Sequence, residues 1–116
     1  KMMNKICIAG LLQGLAEAIN FGQKANLDIE KVIGVIKDGA ASSWQMENRY
    51  KTMVKDEFDF GFAVEWMRKD LKICLEQADE VGARLPVTAI IDQFYSNVLE
   101  IGGKRWDTSS LIKLLR

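Results

Sequence analysis

Apolar residues recur at three- and four-residue spacing along nearly the whole chain, and no stretch alternates apolar with polar at every second position. The first spacing marks one face of a helix and the second a half-buried strand, so the pattern predicts an all-α fold of about six helices. From Met2 to about Lys24 the apolar side chains occupy more than one face. That predicts a long first helix buried on most of its sides. A continuous helix of this length reaches about 35 Å, more than a small domain covers by itself. Gly10 and Gly14, four apart on this helix, predict the close approach of another backbone.

Turn and capping residues punctuate the rest. Asn26 and Asp28 form a turn, with Asp28 as the N-cap of a helix that runs through Ile36 and stops near Asp38-Gly39. Ala40-Ala41-Ser42-Ser43 reads as a small-residue loop. Ser42 or Ser43 then caps a helix that carries Trp44, Met46, Tyr50 and Met53 as far as about Val54. Asp56 to Gly61 is a loop. Phe62 to Val81 is the clearest amphipathic helix, with Phe62, Trp66, Leu71, Cys74, Leu75, Ala78 and Val81 on its apolar side. Gly82 ends it, and Leu85-Pro86 opens a helix whose expected inward residues are Ile90, Phe94, Val98 and Ile101. Gly102-Gly103 stops that helix, and Asp107 or Ser109 caps a short terminal one through Leu115.

Composition narrows the classes of function. The 116 residues fit one domain, 48% hydrophobic and 28% charged, which is globular rather than disordered. Sixteen basic side chains balance sixteen acidic ones, so neither nucleic acid nor an anionic membrane surface is an expected partner. The most apolar segment, Ile6 to Leu15, is far short of the roughly 20 residues of a membrane span. Cys7 and Cys74, the only cysteines, read as two buried free thiols of a cytoplasmic protein. With no histidine and no CxxC, no metal site is expected, and Ser-His or Cys-His nucleophiles are excluded. Proton chemistry here falls to lysine or to a carboxylate.

Lys1 opens the first helix, with Lys5 one turn on. Unpaired helix N–H groups and the neighbouring ammonium both disfavour a second positive charge there once it is buried. That environment prepares a lysine for general acid–base work; the plain alternative is an exposed lysine. Lys69 and Asp70 interrupt the amphipathic helix near its Phe62–Trp66 side, where a lysine often snorkels. Ser42-Ser43-Trp44-Gln45 with Asn48-Arg49 sets hydroxyls, an amide and a guanidinium at a helix start, where a carboxylate could be clamped. A serine cap with Trp44 in the core explains the same residues.

Lys1-Met2-Met3-Asn4, the Gly10 to Gly22 helix with Glu17-Ala18, the Gly39-Ala40-Ala41-Ser42-Ser43-Trp44 loop, Phe58 and Phe62, and Lys69-Asp70-Leu71 occur in that order. Together they resemble the C-terminal domain of the β-hydroxyacid dehydrogenases, which include 3-hydroxyisobutyrate dehydrogenase and tartronate semialdehyde reductase. The resemblance covers nearly the whole chain. It implies an all-α domain like the C-terminal domain of 6-phosphogluconate dehydrogenase, with an N-terminal Rossmann domain lying outside this chain and binding NAD or NADP. It places the catalytic lysine at Lys1. It implies that Asn4, Ser42 and Ser43 bind substrate and that Phe62, Lys69 and Asp70 line the cofactor-facing cleft. It also implies a homo-oligomer, dimer or tetramer.

One position departs from the family pattern: the residue after Asn4 is commonly an amide there, and here it is Lys5. A lysine facing the cleft would favour a substrate with an extra negative charge. The chain itself carries no strand–GxGxxG–helix unit, and Gly102-Gly103-Lys104 is too slight for a phosphate loop. A chain opening on a lysine already inside a helix reads as the second half of a longer protein. The expected function is therefore the C-terminal half of an NAD(P)-dependent dehydrogenase of small hydroxy acids, inactive alone. The alternative is a helical dimerisation module without catalysis.

Overall fold

The computed structural model describes residues 1–116 and contains five α-helices and a terminal 3-10 helix. Helix α1, Met2–Lys24, is the spine, and every later helix packs against it. Its inward stripe is Ala9, Leu12, Leu15, Ala16, Ile19 and Gly22. Burial is narrower than the sequence pattern predicts: Lys1 to Asn4 and Cys7 are exposed. A chain of this size has only enough mass to cover one stripe of so long a helix. Gly10 and Gly14 do not mediate a close helix contact. A Cβ on Gly10 would lie 3.6 Å from Val87, an ordinary separation, and one on Gly14 would meet nothing within 4 Å.

Local capping works as the residue types dictate. The Lys31 N–H donates to Asp28 Oδ1 at 3.2 Å to start α2, Ile29–Ile36. The Met46 N–H donates to Ser43 Oγ at 3.0 Å to start α3, Trp44–Lys55. Met46 and Met53 turn inward from α3, while Trp44 lies outside at 60% exposure. Gly82, with φ of 76°, gives α4 the left-handed C-cap that an L side chain resists.

Helix α4 spans Val64–Val81 and begins two residues later than its periodicity predicts. The delay is tertiary. The Phe62 N–H donates to Asp107 Oδ1 at 2.9 Å, and the Phe62 carbonyl accepts from Thr108 N–H at 3.0 Å. The Val64 N–H donates to the Trp106 carbonyl at 2.9 Å, so residues 62–64 are held extended against the C-terminal segment. The core stripe of α4 is Val64, Met67, Leu71, Cys74 and Ala78; Trp66 and Val81 face outward.

Helix α5, Pro86–Glu100, also turns a different face inward. Ile91, Tyr95 and Val98 are buried with Thr88 and Asp92, whereas Ile90 and Ile101 are half exposed. Two polar contacts select this phase over the more apolar one. Arg68 of α4 donates to Asp92 through Nε at 2.9 Å and a terminal nitrogen at 3.0 Å. The buried Tyr95 hydroxyl donates to the Thr108 carbonyl at 3.1 Å, and burial beside the Asp107 charge pushes that phenol far above its ordinary range.

Asp107, only 1% exposed, joins these parts. Besides the Phe62 N–H, its carboxylate accepts from the Ser109 N–H at 3.1 Å, from the Ser109 hydroxyl, and from Arg49 Nε of α3 at 3.2 Å. It caps the 3-10 helix Thr108–Leu115. Gly61, at φ 74°, passes so close to Asp107 that a Cβ there would collide with the carboxylate. Removing a buried charged partner leaves the opposite group and several N–H donors unpaired. Asp107→Ala is expected to lower unfolding free energy by about 3–5 kcal/mol, read as a reduced urea midpoint with unchanged slope.

Candidate functional site

The chemistry-bearing residues gather where the first turns of α1 meet the middle of α4. Lys1 is the N-cap of α1, and its carbonyl accepts the Lys5 N–H at 3.3 Å. Residues four apart share a helix face, so the Lys1 and Lys5 side chains leave α1 on the same side. Helix α4 passes that side with Asp70, Ile73 and Cys74, which are likewise three and four residues apart. Lys1, Met2, Lys5, Asp70, Ile73 and Cys74 enclose a recess of about 180 Å³.

Each wall of the recess is held. Lys5 Nζ lies 3.6 Å from Asp70 Oδ2 and 3.7 Å from the centroid of the Phe62 ring. Phe62 in turn meets Trp66 edge to face, with centroids 5.9 Å apart and planes at 65°. The Cys74 thiol donates to the Met2 carbonyl at 3.7 Å, tying α4 to the first turn of α1. Burial, reinforced by the Asp70 charge, pushes that thiol upward from its ordinary value and so keeps it protonated.

Lys1, Phe62 and Asp70 therefore come together, with Phe62 joined to the recess through the Lys5 ammonium. Lys1 itself is exposed, so this chain alone does not supply the burial expected for it. Lys69 is exposed on α4, outside the recess lining, and Asn4 is exposed on α1, also outside it. Ser42 and Ser43 lie elsewhere. They line an apolar groove of about 650 Å³ between α1 and α2, whose first α1 residue is Leu11. Ten residues of helix, about 15 Å, separate Leu11 from Lys1. The Ser43 hydroxyl is already engaged as the cap of α3.

Arg49 is engaged within the fold. Its Nε serves Asp107, a terminal nitrogen donates to the Asn48 carbonyl at 3.3 Å, and its guanidinium carbon sits 5.0 Å from the ring centroids of both Trp44 and Phe60. The pairing spans 58 residues, and nothing local in the sequence announces it. Ile73 and Cys74 are recess residues that sequence reading passed over; their spacing from Asp70 was the available signal.

The cysteines differ in kind. Cys7 is exposed on α1, contrary to the expectation of two buried thiols, because the apolar stripe of α1 is narrower than its composition suggests; Cys74 is buried. With the folded chain, a disulfide reagent is expected to modify one thiol quickly and the second only after unfolding. Two equally fast thiols under native conditions would contradict this placement.

Known proteins resemble the chain over nearly its whole length. A family model described as the NAD-binding domain of NADP-dependent 3-hydroxyisobutyrate dehydrogenase matches residues 1–115. An uncharacterized oxidoreductase of Shewanella frigidimarina is 61% identical over 115 residues, covering 99% of this chain and 40% of that protein. The 2-hydroxy-3-oxopropionate reductase of Escherichia coli is 31% identical over 115 residues, covering 99% of this chain and 39% of that protein. A solved structure of 3-hydroxyisobutyrate dehydrogenase from Mycobacterium tuberculosis with L-serine superposes with a TM-score of 0.88 at 22% identity, over 100% of this chain and 42% of the other. That likeness establishes the helical fold. The chain spans about two-fifths of the length of the curated relatives it matches.

Proposed function

Since the chain belongs to the NAD-binding family of NADP-dependent 3-hydroxyisobutyrate dehydrogenases, we propose that it is the helical C-terminal half of an oxidoreductase acting on the CH–OH group of small hydroxy acids. One observation carries the assignment of its acid–base group. Of the titratable side chains in the recess, Lys5 and Asp70 face each other as an ion pair at 3.6 Å and the Cys74 thiol is buried and held upward. Lys1, at the mouth, is accessible and has no carboxylate partner in the chain.

The residues present fit one end of a nicotinamide cofactor. Trp66, 54% exposed, and Phe62, set edge to face, offer an apolar wall, with Asp70 beside it and Lys69 on the same helix. No Gly-rich turn between strand and helix is available to cradle the pyrophosphate, which requires a second domain. Phe62, Lys69 and Asp70 would line the cofactor side of the cleft. The nicotinamide, when bound, supplies or accepts the hydride; NAD or NADP serves that chemistry equally.

Lys1 handles the accompanying proton. In oxidation its Nζ takes the proton of the substrate hydroxyl, and in reduction it returns a proton to the developing alkoxide. Asn4, on the same turn as Lys5, is assigned to substrate orientation from the solvent side of the cleft, which the second domain closes. Ser42 and Ser43 are left out of this assignment, because their groove lies about 15 Å along α1 from Lys1. In the full-length protein, Lys1→Met is expected to lower kcat for 3-hydroxyisobutyrate oxidation by about 10²–10⁴-fold, followed by absorbance of the reduced nicotinamide, with cofactor affinity retained. An unchanged kcat would remove Lys1 from the mechanism.

The protein is also proposed to work as a homo-oligomer. Phe21, Leu27, Val32 and Val35 leave a large apolar area exposed around the far end of α1 and α2. No helix is long and apolar enough to cross a membrane, and two free thiols suit the reducing cytoplasm. Sedimentation of the full-length protein is expected to give a dimer or tetramer, with Val35→Glu shifting it toward monomer. A folded wild-type monomer at micromolar concentration would count against this.

A further inference from the structure

The recess holds one cation that the proposed acid–base chemistry does not use. The Lys5 side chain retains only 16% of its exposure. An ammonium drawn partly out of water is costly unless countercharge or hydrogen bonds hold it. Asp70 at 3.6 Å supplies the countercharge, and the Phe62 ring at 3.7 Å supplies a cation–π contact. Neither accepts a hydrogen bond: 3.6 Å lies outside the range for N–H···O, and a ring face attracts the charge without a lone pair. The three N–H donors of Lys5 are therefore unspent, on the wall it shares with Lys1.

Charge and rigidity both give these donors a purpose. Two ammoniums and one carboxylate leave the recess with one net positive charge, at the positive end of the α1 dipole. A lysine on an open surface is a mobile point charge. Lys5, fixed between α4 and the Phe62 ring, presents its donors at one place, as discrimination between similar ligands requires. It leaves α1 one turn from Lys1, a separation that a short carbon chain bridges. Asn4, by contrast, does not line the recess.

We infer that Lys5 is a specificity-determining residue: it hydrogen-bonds a second carboxylate of the substrate, so the site prefers hydroxy acids with two anionic groups over those with one. The inference rests on the dehydrogenase reading above for the reacting hydroxyl at Lys1. The anion contact itself does not require turnover.

The test uses the full-length protein and two substrates that share a primary hydroxyl and an α-carboxylate, 3-hydroxyisobutyrate and 2-(hydroxymethyl)glutarate. The expected result is a higher kcat/KM for the dicarboxylate. Lys5→Gln should reduce that preference about 10–100-fold, through the KM of the dicarboxylate. Lys5→Arg, which keeps the charge, should retain most of the preference, and both variants are checked for folding by thermal melting. In parallel, calorimetry measures glutarate against butyrate. Tighter glutarate binding that is lost in Lys5→Gln supports the inference even if neither substrate is oxidised, an outcome that would sink only the dehydrogenase reading. Equal glutarate affinity in wild type and Lys5→Gln, or a dicarboxylate preference untouched by that substitution, would overturn it.

Discussion

A carboxylate taken out of water must find partners for both oxygens, and in this molecule Asp107 is that carboxylate. Its acceptor capacity is spent on Phe62 N–H, Ser109 N–H and hydroxyl, and Arg49 Nε. These donors come from the loop before α4, the 3-10 helix and α3, so one residue sets the mutual position of three segments. The consequence reaches the recess in two steps. Fixing the Phe62 backbone fixes its ring, and the ring lies against the Lys5 ammonium. Gly61 fits the same constraint, since only a residue without a Cβ passes the carboxylate at that point.

Helix α1 carries the other half of the design. Its middle is wrapped by the remaining helices, while its first turn lines a recess with α4. The end of the helix that bears Lys1 is thereby left open, and the opposite end shows Phe21 to solvent. The apolar character that spreads around α1 exceeds what this chain buries.

Charge is arranged locally rather than globally. The chain as a whole is neutral, with sixteen basic and sixteen acidic side chains. Most ion pairs are structural: Arg68 with Asp92 joins α4 to α5, and Lys113 and Arg116 converge on Asp56 at distances of 2.8 and 2.9 Å, which holds that carboxyl below its usual range. The recess is different, because it is lined by two lysines and a single aspartate, which pairs with Lys5. Overall neutrality gives no electrostatic case for broad polyanion binding and still permits a small site with an excess of one positive charge.

The sequence by itself determined where most of the helices begin and end. Asp28, Ser43 and Gly82 act through bonds to residues three or four positions away, or through their own φ preference, and Pro86 through its missing N–H, so each was legible from its neighbours. The all-α class was legible for the same reason, since helical spacing sets which side chains share a face; the grouping of Lys1 with Asp70 was legible only as what the family resemblance implied. The tertiary structure alone decided which face of α5 turns inward, where α4 starts, what Arg49 binds, and that Ser42 and Ser43 stand apart from Lys1. Those outcomes rest on buried charges and backbone donors that find partners 24, 45 and 58 residues away. A buried polar group selects its partner by distance and desolvation in three dimensions, and hydropathy read along a single chain contains neither.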